Sequence, residues 1–77
     1  MGEKLPILKP AEVVKAFERG RFVVKRQTGS HVIMYKPGTH HIISIPLHTG
    51  DLPKGTLRAI IRQAGIKVEE FLEILKG

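Results

Sequence analysis

Residues 22–46 read Phe22-Val23-Val24-Lys25-Arg26-Gln27-Thr28-Gly29-Ser30-His31-Val32-Ile33-Met34-Tyr35-Lys36-Pro37-Gly38-Thr39-His40-His41-Ile42-Ile43-Ser44-Ile45-Pro46. Three runs rich in β-branched and aromatic residues are separated by two turn signals, Thr28-Gly29 and Pro37-Gly38. The spacing predicts strands over 22–27, 30–36 and 41–46. Connections this short join antiparallel neighbours, so the stretch predicts a three-stranded antiparallel sheet.

The flanks are helical in pattern. Pro10 suits a first helical turn, where its missing N–H costs nothing, and Val13, Val14 and Phe17 follow on one face, with Gly20 able to end the helix. Beyond a polar connection over 47–54, Leu57, Ile60, Ile61 and Ala64 recur at helical spacing in a helix over 55–64 that Gly65 closes. Val68, Phe71, Leu72 and Leu75 mark a last helix over 68–75. Glu69 and Glu70 fall in its first turn, where the helix dipole favours negative charge. The order is αβββαα. Three apolar helix faces need one apolar sheet face, so the expected fold is α+β, with the helices on one side of the sheet and the other side partly open.

Seventy-seven residues make one domain, expected to span 1–77. A chain of this size hides only roughly 60% of its unfolded surface, which favours a shallow surface site over an enclosed cavity. The sequence has no cysteine, which excludes disulfide and thiolate chemistry. No apolar run approaches the ~20 residues of a membrane span, and the first residues lack the apolar core of a signal peptide; the cytoplasm is the expected location. A net charge of +6 favours polyanions, chiefly through phosphate neutralisation and counterion release.

His31 is the candidate with the clearest chemistry. Imidazole is the one side chain that ordinarily titrates near neutrality, and this one lies just past a turn beside two cations. A two-residue Thr28-Gly29 loop sets Arg26 opposite His31, with Phe22, Val24, Arg26, His31, Ile33 and Tyr35 on one side of the sheet. A three-residue loop with a bulge at Gly29 sets Lys25 opposite His31 instead. Either register expects a cation across from the imidazole. Ser30 should point to the other face from His31, as neighbours in a strand do, so a serine nucleophile activated by His31 is not expected.

Lys54, Arg58 and Arg62 are spaced by four and form a basic row on one helix, either a solvated face or a grip for phosphates. His40 reads as an exposed loop residue. Adjacent His40 and His41 would face opposite sides, and no spacing matches a zinc or magnesium site, so neither metal nor cofactor is expected. His48 either bonds the loop that follows the third strand or joins His31 as a second proton carrier. With Tyr35 the only tyrosine and no tryptophan, the chain lacks the usual aromatic platform of single-strand binders.

Three segments carry a family resemblance. Arg26-Gln27-Thr28-Gly29-Ser30-His31 resembles the Arg-x-x-Gly-Ser-His signature of the HicA toxins of toxin–antitoxin pairs. Pro46-Leu47-His48 resembles the family's Pro-x-His, and residues 54–65 resemble its Gly-Thr-Leu-x-x-Ile-x-x-Gln-Ala-Gly helix. The likeness covers roughly residues 7–75. One departure stands at the helix-to-strand turn: the family usually has glycine before the aromatic that opens the first strand, where this chain has Arg21, with Gly20 one place earlier.

The resemblance implies a fold like a double-stranded-RNA-binding domain and an mRNA interferase that inhibits translation. It implies catalysis by His31 and a HicB-type antitoxin that occupies or blocks the site. The toxin is expected to be monomeric when free and hetero-oligomeric with its antitoxin. The expected reaction is metal-independent cleavage of mRNA, with His31 as general acid or base and Arg26 or Lys25 stabilising phosphate charge. Gly29, Ser30, Lys36, Lys54, Arg58 and Arg62 would hold the RNA. The alternatives are a non-catalytic RNA-binding module of the same fold and an interaction protein that uses the open sheet face.

Overall fold

The computed structural model describes residues 5–47 and 50–77. The chain runs α1 (Pro10–Arg19), β1 (Val23–Gln27), β2 (His31–Tyr35), β3 (Ile42–Pro46), α2 (Lys54–Gln63) and α3 (Val68–Lys76). The strands form one antiparallel sheet in the order β1-β2-β3. The αβββαα order and the α+β class follow the sequence pattern, and element ends differ from expectation by one residue.

Two of the helices, α1 and α3, begin where capping chemistry places them. Pro10 holds the first position of α1, and the Glu12 carboxylate accepts the Lys9 backbone N–H at 2.8 Å. Glu70 does the same for the Lys67 N–H at 2.9 Å. Each bond satisfies a backbone donor at a helix start. The C-terminal ends of α1 and α3 are tied together, with the Arg19 guanidinium donating to the carbonyls of Ile74 (3.3 Å) and Leu75 (3.1 Å).

Alternation along the strands sets the two faces. Val32 and Met34 of β2 and Ile43 and Ile45 of β3 are buried against the helices. His31, Ile33 and Tyr35 point the other way, paired across to Pro46, Ser44 and Ile42. The core beneath the helices centres on Phe17, whose ring centroid lies 5.3 Å from those of both Phe22 and Phe71. Truncating a phenylalanine buried to this degree costs about 3–5 kcal/mol, a large share of the roughly 5–15 kcal/mol that holds a domain folded.

Three details differ from expectation. The loop between β1 and β2 is tipped by Gly29-Ser30, not Thr28-Gly29: Gln27 pairs with Val32, and the Thr28 N–H donates to the His31 carbonyl at 2.9 Å. The register also shifts between Val24 and Arg26, a bulge at Lys25. In consequence Phe22 is core and Val24 pairs with buried Met34, so neither lies on the side of His31 as expected. Finally, the connection after β3 is not wholly polar. Leu52 is buried and donates its N–H to the Leu8 carbonyl at 2.8 Å, which fastens the connection to the segment before α1.

Arg21 occupies the left-handed region with φ of 74°. This is the position where the resembled family carries glycine, and the geometry supplies the reason, since a Cβ there costs roughly 1–2 kcal/mol.

Candidate functional site on the open sheet face

One residue's displacement of the turn tip moves the cross-strand partner by two. The face is therefore preserved and the neighbour changes. Thr28, not Arg26 or Lys25, lies opposite His31, so the expectation of a cation directly across from the imidazole fails. Arg26 pairs with Ile33 and shares the open face with His31 as its diagonal neighbour, a separation of roughly 7–8 Å between backbones that a long side chain spans.

Thr28 builds the turn. Its Oγ1 accepts the backbone N–H groups of His31 (3.0 Å) and Ser30 (3.3 Å) and donates to the His31 carbonyl (3.3 Å). The hydroxyl thus does the work of a turn's own backbone bonds. The Ser30 carbonyl accepts the Leu47 N–H at 2.8 Å, which locks the same turn to the end of β3. In the sequence Thr28 reads only as a turn residue. The signal that could have found it is a threonine followed by backbone donors two and three residues on, a recurrent hydroxyl turn.

Because Ser30 sits in the turn and not in the strand, strand alternation does not apply to it. Its Oγ lies 3.0 Å from His31 Nδ1, contrary to the expectation that the two side chains diverge. The hydroxyl can donate to Nδ1 or accept from it, so it serves either protonation state of the ring. Among the described residues Nε2 has no hydrogen-bond partner. The pair is exposed, anchored by the backbone beneath it, and open to a ligand on the Nε2 side.

Gly29 is a glycine by neither of the usual needs. Its φ is not left-handed, and a Cβ there would meet nothing within 4 Å. At the tip beside His31, the missing side chain leaves room for something outside the fold.

The remaining candidates are distributed unevenly. Lys25, lifted by its bulge, reaches the open face and lines a cleft with Tyr35, Thr39, His40 and Ile42. Lys36 follows β2 at the end remote from His31. Lys54, Arg58 and Arg62 are exposed on α2, within the helical layer on the other side of the sheet. Lys54 opens α2 soon after the end of β3 that pairs with His31. Arg62 lies eight residues further on, roughly 12 Å along the axis. Arg58 and Arg62 line a second cleft, about 330 Å³, with Lys67 and Glu69 between α2 and α3. The structure therefore gathers His31, Ser30, Gly29 and Arg26 at the first turn and the open face beside it, with Lys36 past the far end of β2 and Lys54, Arg58 and Arg62 on α2. His48, the suggested second proton carrier, lies outside the described residues.

Among the described residues no three His, Asp or Glu side chains come together as metal ligands, and no helix is long and apolar enough to cross a membrane. No curated protein matches the sequence. The model of the HicA toxin of bacterial toxin–antitoxin systems matches residues 10–66, a span that takes in α1, the whole sheet and α2, so the chain belongs to the HicA toxin family, which implies a cognate antitoxin as its partner.

Proposed function

We propose that this toxin is an endoribonuclease that cleaves mRNA at the Ser30–His31 turn without a metal ion. The observation that carries the reading is the hydrogen-bonded pair itself. An exposed imidazole oriented through Nδ1 presents Nε2 beside a glycine that the fold does not require.

The chemistry uses the RNA's own 2′-hydroxyl as nucleophile. Its oxygen bonds to the adjacent phosphorus as the bond to the 5′-oxygen breaks. One strand then ends in a 2′,3′-cyclic phosphate and the other in a 5′-hydroxyl. A proton leaves the 2′-oxygen and a proton reaches the 5′-oxygen. His31 Nε2 carries one of these transfers, and water or His48 carries the other. Arg26, diagonal to His31 on the same face, stabilises the charge that grows on the phosphate. Ser30 Oγ orients the ring, and Gly29 admits the backbone of the RNA.

The row on α2 has a different part in this reading. It adds sequence-independent attraction for a polyanion and contributes to the salt dependence of binding. The antitoxin silences the toxin by covering the open face.

End-labelled RNA incubated with the purified protein in a chelator tests the proposal. Shortened strands ending in 2′,3′-cyclic phosphate are expected. RNA that is bound but never shortened would establish the non-catalytic RNA-binding module instead. Activity that vanishes in chelator and returns with a divalent ion would overturn the metal-independent mechanism.

A further inference from the structure

At the end of β2 remote from His31, the open face carries a second feature. Tyr35 is half-buried there, with Val23 and Ile42 as its cross-strand partners, both exposed. Beside the ring lies a cleft of about 280 Å³ lined by Lys25, Tyr35, Thr39, His40 and Ile42. Thr39 is already committed to its own turn, its Oγ1 donating to the Lys36 carbonyl at 2.8 Å and accepting the His41 N–H at 3.1 Å. That leaves one aromatic ring, one apolar wall at Ile42, a lysine and a histidine, with no carboxylate among the lining residues.

We propose that this cleft is a nucleobase subsite, which takes one unpaired base of the RNA a few nucleotides from the bond cleaved at His31. The inference rests on the ribonuclease reading and adds where the substrate is read. Tyr35 lies four residues along β2 from His31, about 14 Å at strand rise. Arg26 stands between the two on the same face. His31, Arg26 and Lys25 thus mark a track for the phosphates, and the track ends at a ring on which a base can stack. The bulge supports this, because it is what brings Lys25 to the same face as Arg26. The overall scarcity of aromatics hid this arrangement in the sequence, since one tyrosine suffices when the sheet places it beside a cation.

The test compares the wild-type protein, Tyr35→Ala and Tyr35→Phe on a labelled RNA octamer and on a dinucleoside monophosphate too short to reach the cleft. Tyr35→Ala is expected to lose about tenfold or more in kcat/KM on the octamer, the order of one lost stacking contact, through KM. On the dinucleotide its kcat/KM should match the wild type, and Tyr35→Phe should retain turnover of the octamer. Melting curves confirm that each variant is folded. Equal octamer turnover by wild type and Tyr35→Ala would overturn the subsite, as would an equal loss on both substrates. Normal cleavage with escape from the antitoxin would also overturn it, assigning the cleft to the protein partner. If the wild type cleaves neither RNA, the ribonuclease reading fails on its own; the subsite then stands only if Tyr35→Ala still weakens octamer binding measured by fluorescence anisotropy.

Discussion

In the turn between β1 and β2, Thr28 Oγ1 accepts the His31 N–H at 3.0 Å; in the turn between β2 and β3, Thr39 Oγ1 accepts the His41 N–H at 3.1 Å. Both turns use a threonine hydroxyl as a backbone surrogate, and both end on a histidine. Beyond that they diverge. The second turn contains Pro37 and a Gly38 at φ of 84°, a conformation that glycine adopts without strain. Its histidine ring packs over Gly65, whose own φ is 75° and whose missing Cβ makes the space that the ring occupies. Every unusual residue there has a use in folding. In the first turn, Gly29 is neither left-handed nor crowded, and the His31 ring is held by one exposed hydroxyl. Residues that the fold does not demand are the ones available to a substrate.

The largest expected effect breaks the symmetry between the two histidines. His31→Ala should lower RNA cleavage by about 10²–10⁴-fold, the usual weight of a general acid or base, with its melting temperature unchanged. His41→Ala should leave cleavage near wild type and lower the melting temperature, because it uncovers Gly65. Parallel cleavage and melting assays read both. A smaller effect is expected at the hydroxyl that orients the ring. Ser30→Ala should slow cleavage between about twofold and tenfold, the range for one hydrogen bond of 0.5–1.5 kcal/mol, with kcat falling while RNA affinity holds.

The glycines of the two turns should differ in what a side chain costs the fold. Gly38→Ala should cost roughly 1–2 kcal/mol in denaturant melts, because a Cβ is strained in the left-handed region. Gly29→Ala should cost none and should instead raise KM for RNA. The smallest effect lies outside both turns. Arg21→Gly should stabilise the protein by up to about 1 kcal/mol, since the relief of left-handed strain is partly offset by the greater freedom of an unfolded glycine. Urea denaturation measures that change.

Much of the architecture is legible in the chain because periodicity is a strong signal. Leu57, Ile60, Ile61 and Ala64 place α2. In β2, by contrast, Val32, Ile33, Met34 and Tyr35 are all apolar, so the chain does not announce that Val32 and Met34 are the pair the helices cover. The site is legible to the level of a face but not of a neighbour. Thr28-Gly29 and Gly29-Ser30 are both acceptable turn tips, and local propensity does not choose between them. The choice came from the Thr28 hydroxyl and the link from Leu47 to Ser30, which involve a side-chain bond and a third strand. The bulge at Lys25 was equally invisible, since nothing in Val24-Lys25-Arg26 announces it. The Ser30–His31 contact is hidden for a related reason, because strand alternation does not extend to a residue of the turn. The expectation that Lys36, Lys54, Arg58 and Arg62 hold RNA rests on charge and spacing, and charge carries no information on which layer a residue occupies.

In the proposed mechanism His31 moves a proton rather than merely holding RNA. His31→Gln tests it most directly, because glutamine retains hydrogen-bonding capacity at this position but cannot exchange a proton near neutral pH. Cleavage of labelled RNA by His31→Gln is predicted to fall by at least about 10²-fold, with RNA affinity and melting temperature as in the wild type. Cleavage at the wild-type rate would rule out proton transfer by His31.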